Sequence, residues 1–380
     1  MIYHVLPELE PLSANRGGAL AHTVANILRL DKSRIAVCSD VDDTWGFQSD
    51  RVIVVPELRA YARIRGRRFI PIFFLAPILH RAYRIMLSRL TPRDIVWFHN
   101  RPAFAAALGL TIRGIGAKVI CHLHDGNDVL ASQLAFKRFV PDATIFVSDY
   151  LKRYWIKLIP SLTSTHVVHN GVDETVFFPR KSCERLDREP PVVLFVGRLH
   201  PEKGVHVLLD ALTLLRERGI SVSGRIIGSS FSGSSRPTSY IADLLKSSPP
   251  NVTFGGFRSA RQIAEEYRGA DILCCPSIWQ EPFGKVNIEA MACALPVVAS
   301  CVGGIPEIAE RGGIALVPPD SPMELADALQ TLILDVDLRI RLAEEGFLSV
   351  RQSFTWRSVL ERYDRIADQL YSHSSEDRAK

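Results

Sequence analysis

At 380 residues the chain is too long for one ordinary core and suits two domains of about 150–200 residues each. Hydrophobic residues make up 47% and charged residues 23%, which excludes a largely disordered chain outside the polar tail Ser372–Lys380. The net charge of +5 hides an asymmetry, because nine arginines and no acidic residue stand between Glu57 and Asp94.

The first residues, Met1-Ile-Tyr-His-Val-Leu-Pro7, lack a basic region followed by a sustained apolar run, so no signal peptide is read there. The basic segment 59–93 carries Arg63-Ile-Arg-Gly-Arg-Arg68, then the apolar run Phe69–Leu79, then Arg81, Arg84 and Arg89. That run holds eleven residues and two prolines. It is too short to span a bilayer, which takes about 20 helical residues. Basic flanks around an apolar stretch suit peripheral contact with anionic lipid. A solvated helix face beside a buried helix is the competing reading. Nucleic acid is not favoured as a partner, since the arginines surround aliphatics and no recognition motif accompanies them. Seven cysteines without a Cys-x-x-Cys pair, most of them inside apolar runs, point to a reducing cytoplasm.

Short β-rich runs alternate with helical patterns along the chain, which predicts parallel sheets covered by helices on both faces. In the first half Ile35–Cys38, Asp94–Phe98, Lys118–His122, Ala143–Val147 and His166–His169 read as strands. The polar stretch 180–191 reads as a linker. The alternation then restarts with a strand at Val192–Val196, a helix over Gly204–Arg218 and a strand at Gly224–Ile227. Further strands follow at Val252–Phe254, Ile272–Cys275, Pro296–Ala299 and Ala315–Val317. The segment from Phe354 has Trp356, Val359, Leu360, Tyr363, Ile366 and Leu370 at helical spacing, a packing stripe. The expected organisation is an N-terminal domain over 1–179, a linker over 180–191, a C-terminal domain over 192–353, and a helix with a polar tail over 354–380. Both domains are expected to be α/β and doubly wound, with ligand in the cleft facing the carboxyl ends of their strands.

The most informative stretch runs from Pro276 to Pro296. A loop after a strand carries Glu281, and a helix opening near Gly284 carries Glu289 on its second turn. Two carboxylates at different depths suit polyhydroxyl recognition, and the free amides at Gly284–Val286 suit a diphosphate. A capping Glu281 with Glu289 on a solvated face is the structural alternative. The second stretch is Val193-Leu-Phe-Val-Gly-Arg-Leu-His-Pro-Glu-Lys-Gly204. There Gly197 allows a sharp turn, and Arg198 and Lys203 flank a loop that enters a helix. Two cations at that point suit a leaving diphosphate; surface ion pairing, with Glu202 for instance, is the alternative. In the N-terminal half, Asn15-Arg-Gly-Gly18 precedes a helix and permits close backbone approach to a phosphate or acceptor. Cys121-His-Leu-His-Asp-Gly126 puts His122 and His124 on one face of a strand. No third metal ligand stands at obvious spacing.

Together these motifs resemble the retaining glycosyltransferases of family 4, which have the GT-B fold. The resemblance runs from Gly17-Gly18 through Phe146-Val-Ser-Asp-Tyr150 and His169-Asn-Gly-Val-Asp173, then through the Arg198/Lys203 loop and the two-glutamate stretch to Gly303-Gly-Ile-Pro-Glu307. It implies two Rossmann-like domains facing a central cleft, with the C-terminal helix crossing back to the N-terminal domain. By that resemblance Arg198 and Lys203 bind the donor diphosphate, Glu281 the sugar hydroxyls and Glu289 the ribose. Backbone amides near Phe283, Gly284 and Val286 support sugar and phosphate, Phe257 borders the base, and His124 (or His122) lies beside the reacting sugar. Gly17, Gly18, Gly197 and Lys285 are donor-side candidates, and His122, Asp125 and Asn170 acceptor-side candidates. The implied reaction retains configuration and requires no metal or other cofactor, with a UDP-sugar as first donor. Asp40-Val-Asp42 looks like the metal-binding Asp-x-Asp of other glycosyltransferases but is discounted. The preferred acceptor is a lipid-linked or cell-envelope glycan, reached from the cytoplasmic side. Two departures stand out: Ala294 occupies a usual glycine position, and Lys285 a usual apolar one. A sugar-nucleotide epimerase and a non-catalytic nucleotide-sugar-binding subunit are the competing functions.

Overall fold

The computed structural model describes residues 1–14, 16, 18–59, 72–126, 129–180, 190–230 and 238–376. The chain forms two compact units, one of Met1–Asn170 with Trp356–Lys380, the other of Gly171–Thr355.

The first unit is built on a seven-stranded sheet. Its strands are β1 (Ile2–Val5), β2 (Arg34–Cys38), β3 (Val52–Val54), β4 (Ile95–His99), β5 (Lys118–Leu123), β6 (Ala143–Phe146) and β7 (Thr165–Val167). They lie in the order β3-β2-β1-β4-β5-β6-β7, with parallel pairing throughout. β2, β4 and β6 are buried along their whole length, as strands covered on both faces must be. Two strands fall outside the expected set, the edge strand β3 and the central strand β1. The helix Trp356–Glu376 lays Trp356, Val359, Tyr363 and Ile366 against Ile95, Trp97, Ile120 and Ile145 of the sheet. The Tyr363 ring meets Trp97 edge-on at 4.7 Å.

The second unit repeats the plan with β8 (Val192–Val196), β9 (Ser223–Ile227), β10 (Val252–Gly256), β11 (Ile272–Cys275), β12 (Val297–Ser300) and β13 (Ile314–Val317). The order is β10-β9-β8-β11-β12-β13, again parallel. The helices Val205–Glu217 and Pro322–Leu334 bury Leu208, Leu212, Leu215, Leu325 and Leu329 in the core shared with Val193, Ile226 and Ile272. In both units the chain reverses its direction of winding beside the first strand, at β1/β4 and at β8/β11. Such switch points leave room for side chains beyond the carboxyl ends of the strands.

Residues 60–71, which include Arg63–Arg68 and the start of the apolar run, lie outside the described residues, as do Gly17 and most of the linker, 181–189. The remainder of the basic segment forms the helices Ile72–Ala82, with Pro77 inside it, and Arg84–Arg89. Arg81, Arg84 and Arg89 are exposed on them beside the exposed aliphatics Ile78 and Ile85. Among the described residues, no helix is long and apolar enough to cross a membrane.

Candidate functional site

The residues singled out in the second unit gather at its switch point. Beyond β8 the chain turns through Arg198 into a short 3-10 turn, Pro201–Lys203, and then into the helix Val205–Glu217. The sharp turn expected at Gly197 is made at Gly204, in the left-handed region at φ 66°. A Cβ at Gly204 would fall 1.9 Å from the Pro276 carbonyl oxygen, so only glycine lets this loop press onto the loop after β11. The same contact is stitched by the Ile278 amide, which donates to the Glu202 carbonyl at 2.9 Å.

This packing brings Lys203 to Glu281, two residues 78 positions apart whose side chains form an ion pair. Glu281 is buried and also accepts from the Ser277 hydroxyl at 2.8 Å. The Lys203 ammonium stands 5.1 Å from the centre of the Trp279 ring, within cation–π range. The Glu281 carbonyl is held from the other side. It accepts from the Gly304 amide at 2.8 Å, and a Cβ on Gly303 (φ 57°) would fall 1.9 Å from it. Glu202 faces His200 at 3.3 Å, so the surface pairing of Lys203 with Glu202 is not the one formed. Arg198 is exposed and pairs with no carboxylate among the described residues.

The helix Lys285–Ala292 opens at Gly284 (φ 89°, ψ 58°), which caps no amide with a side chain. Its first turn contains no acid but starts with Lys285. A cation here opposes the helix dipole, an arrangement that an anion in front of the helix would offset. Val286 follows in the same turn, and Phe283 is buried against Phe354. Glu289 lies on the second turn, where the Tyr267 hydroxyl donates to it at 3.4 Å. Burial pushes the Glu289 carboxyl above the ordinary carboxylate range. Phe257, just beyond β10, is 58% exposed. Ala294 takes the left-handed conformation (φ 51°) at which glycine was the expected residue.

The first unit holds a second polar cluster at its own switch point. His99 ends β4 and is the cross-strand neighbour of His122 on β5. The His99 Nδ1 lies 3.2 Å from the His124 Nε2, and the His122 and His124 rings stand 3.9 Å apart. A third histidine thus accompanies His122 and His124 in the fold, though none stands at obvious spacing in the sequence. His99, His122 and His124 place a ring nitrogen each within 4.8 Å of one another. The third histidine lies on another strand, where sequence spacing gives no sign of it. Asn100 was also missed. It adopts φ 53°, a conformation asparagine tolerates, accepts from the His124 amide at 2.6 Å and donates to Asp125 Oδ2 at 3.0 Å. Asn170 is buried at the end of this unit.

One other expectation changes. The amides at the start of the helix Ala19–Leu30, beside Gly18, are not open to a phosphate, because Glu10 Oε1 accepts from Leu20 and Ala21 at 2.9 Å each. Asp40 and Asp42 are engaged by arginines, Arg16 and Arg59 on the first and Arg16 on the second. A cavity of about 750 Å³ lined by Met1, Pro92, Lys118 and Tyr371 opens at the amino ends of β1, β4 and β5. It lies at the opposite end of the strands from the functional candidates.

Residues 180–348 match the family model described as Glycosyl transferases group 1. The chain is 32% identical over 234 residues to spore coat protein SA of Bacillus subtilis, a match covering 57% of this chain and 62% of that protein. It is 34% identical over 224 residues to D-inositol 3-phosphate glycosyltransferase of Corynebacterium glutamicum, covering 56% of this chain and 53% of that one. The match thus spans less than two thirds of either relative. Among solved structures, sucrose-phosphate synthase of Thermosynechococcus elongatus superposes with a TM-score of 0.75 at 19% identity, over 98% of this chain and 99% of that one. Anabaena HepE, solved with UDP and glucose, gives 0.72 at 21% identity over 96% and 98%. These likenesses identify the two-sheet GT-B fold.

Proposed function

We propose that the chain transfers a sugar from a nucleoside-diphosphate donor to a hydroxyl acceptor, a reading supported by the match of residues 180–348 to the group 1 glycosyltransferase model. The observation that carries this reading is the Lys203–Glu281 pair, held at the β8/β11 switch point beside an uncapped helix start that bears Lys285. The reaction builds negative charge on a leaving diphosphate, and preorganised cations and amides at that spot stabilise it. Lys203 and the exposed Arg198 neutralise the diphosphate, together with the amides of Gly284 to Val286 and with Lys285. Glu281, already accepting from Ser277 and Lys203, turns its remaining acceptor capacity to the sugar hydroxyls. Glu289 binds the ribose, and Phe257 borders the base.

UDP-sugars are the first donors to try, since HepE was solved with UDP and with UDP-glucose. We further propose that transfer retains configuration, with the leaving phosphate taking the acceptor proton, and that it requires no metal. The acceptor-side groups are His124, His122, Asp125 and Asn170, and the acceptor class is a lipid-linked or cell-envelope glycan. The exposed Arg81, Arg84 and Arg89 beside Ile78 and Ile85 support peripheral docking on anionic lipid.

The test is a panel of nucleotide sugars, assayed for binding and slow hydrolysis with EDTA present, on the wild type and Glu281→Ala. Selective response to one donor, lost in the variant, supports the proposal. A wild type that binds no donor, or a response that survives Glu281→Ala, rejects it.

A further inference from the structure

The histidines of the first unit form a directed hydrogen-bond chain, and its direction can be read from one end. Arg34 is fully buried on β2. Its Nε donates to Asp31 at 2.7 Å, one terminal nitrogen pairs with Asp364, and the other lies 3.2 Å from the His4 Nε2. A guanidinium only donates, so the His4 Nε2 accepts. The His4 Nδ1 lies 3.0 Å from the His99 Nε2, and the His99 Nδ1 lies 3.2 Å from the His124 Nε2.

Burial holds the imidazoles neutral. It depresses His4 well below its ordinary range, with Arg34 adding to the effect, and pushes His99 down to about 3. A neutral imidazole carries one N–H. If the His4 Nε2 accepts, its Nδ1 carries the hydrogen and donates to His99. The His99 Nδ1 then carries the hydrogen and donates to His124.

We infer that Arg34, His4 and His99 act as positioning residues that fix the tautomer of His124, leaving its Nε2 as an acceptor and its hydrogen on Nδ1. Resting on the proposed transferase reading, this makes His124 a neutral hydrogen-bond donor through Nδ1 at the acceptor side, unable to take a proton at Nε2 while the chain holds. Such a group orients a hydroxyl without competing for its proton, which is free to pass to the leaving phosphate.

The same three histidines have the spacing of a metal site, and His122 is fully buried with no hydrogen-bond partner at either ring nitrogen among the described residues. Metal binding through the His99 Nδ1 would nevertheless require the opposite polarity. The His99 Nε2 would carry the hydrogen and donate to His4, and the His4 Nε2 would then point an N–H at the Arg34 guanidinium. The buried arginine therefore selects the relay over the metal.

The experiment is ¹⁵N spectroscopy of the full chain labelled at histidine, read beside steady-state kinetics and elemental analysis. In the wild type His99 and His124 are expected as Nδ1–H tautomers. His99→Phe keeps an aromatic ring but neither accepts nor donates. The His124 signal should then lose its bias, and kcat should fall by about tenfold or more with the donor KM unchanged, the loss following from an unfixed tautomer. His99→Gln, which can both accept and donate, should restore most of kcat. A wild-type His124 in the Nε2–H form overturns the inference, as does stoichiometric zinc whose removal shifts all three histidine signals. Unchanged kcat in a folded His99→Phe also overturns it. If the wild type transfers no sugar, the transferase reading falls while the tautomer remains measurable, so the two failures are distinct.

Discussion

The two sheets share one winding plan and concentrate polar residues at the same topological position, but with opposite electrostatics. At β8/β11 the group is charged: Lys203 against Glu281, with the exposed Arg198 and the half-buried Lys285 beside them. At β1/β4 the group is neutral: His4, His99 and His122, all fully buried, with a single buried arginine neutralised by two aspartates behind them. The fold supplies the position, and the side chains decide whether it stabilises an anion or orients an uncharged group. A diphosphate calls for the first and a sugar or alcohol hydroxyl for the second.

The largest expected effect breaks the charged side of this contrast. Lys203→Ala or Arg198→Ala should cost about 10²–10³-fold in turnover, the scale for one preorganised charge stabiliser. Lys203→Ala should also destabilise the second unit, because Glu281 is left buried without its counter-ion. Unchanged kcat/KM in a folded variant would mean that the diphosphate lies elsewhere.

Acid should distinguish the two units next. His4, His99 and His122 have folded pKa values below the unfolded value near 6.5, so below that pH the unfolded chain binds more protons than the folded one. Stability of the first unit should fall as pH drops from about 6.5 toward about 3, by up to about 1.4 kcal/mol per pH unit for each histidine. Hydrogen exchange at pH 7 and pH 5 checks this, and equal loss of protection in the two units would contradict it. Glu289 has the opposite sign. Its raised pKa contributes stability at low pH that is lost as pH rises through the folded value. Glu289→Gln should therefore raise the melting temperature of the ligand-free protein at neutral pH and weaken donor binding; a lower melting temperature would be evidence against a strained carboxylate. The smallest effect belongs to Ala294→Gly. Relief of the left-handed alanine should stabilise the second unit by about 1 kcal/mol, measured by denaturant unfolding.

Much of the fold was legible because strands buried on both faces are apolar runs that need no partner to be recognised. Val192–Val196 and Ile272–Cys275 emerge with the expected bounds, and the stripe from Trp356 to Ile366 faces a core as its spacing indicates. β1 was not recognised, although it is central, because four residues that include His4 and lead to Pro7 lack the length and apolarity of its neighbours. The candidate site was legible as two separate stretches, through glycines, cations and carboxylates next to strand ends. That Lys203 meets Glu281 was not, since it depends on Gly204 letting the loop after β8 press onto the loop after β11, which Gly303 braces from its other side. His99 escaped notice for the same reason. Its partners lie on β1 and β5, and only sheet order makes them neighbours.

The most direct test of the division between a charged and a neutral pole is UDP binding by calorimetry, with EDTA present, to the wild type, Lys203→Ala and His99→Phe. The account expects binding by the wild type, loss of about tenfold or more in Lys203→Ala, and no change in His99→Phe. Equal loss in both variants, or a Lys203→Ala protein that binds as the wild type does, would contradict it.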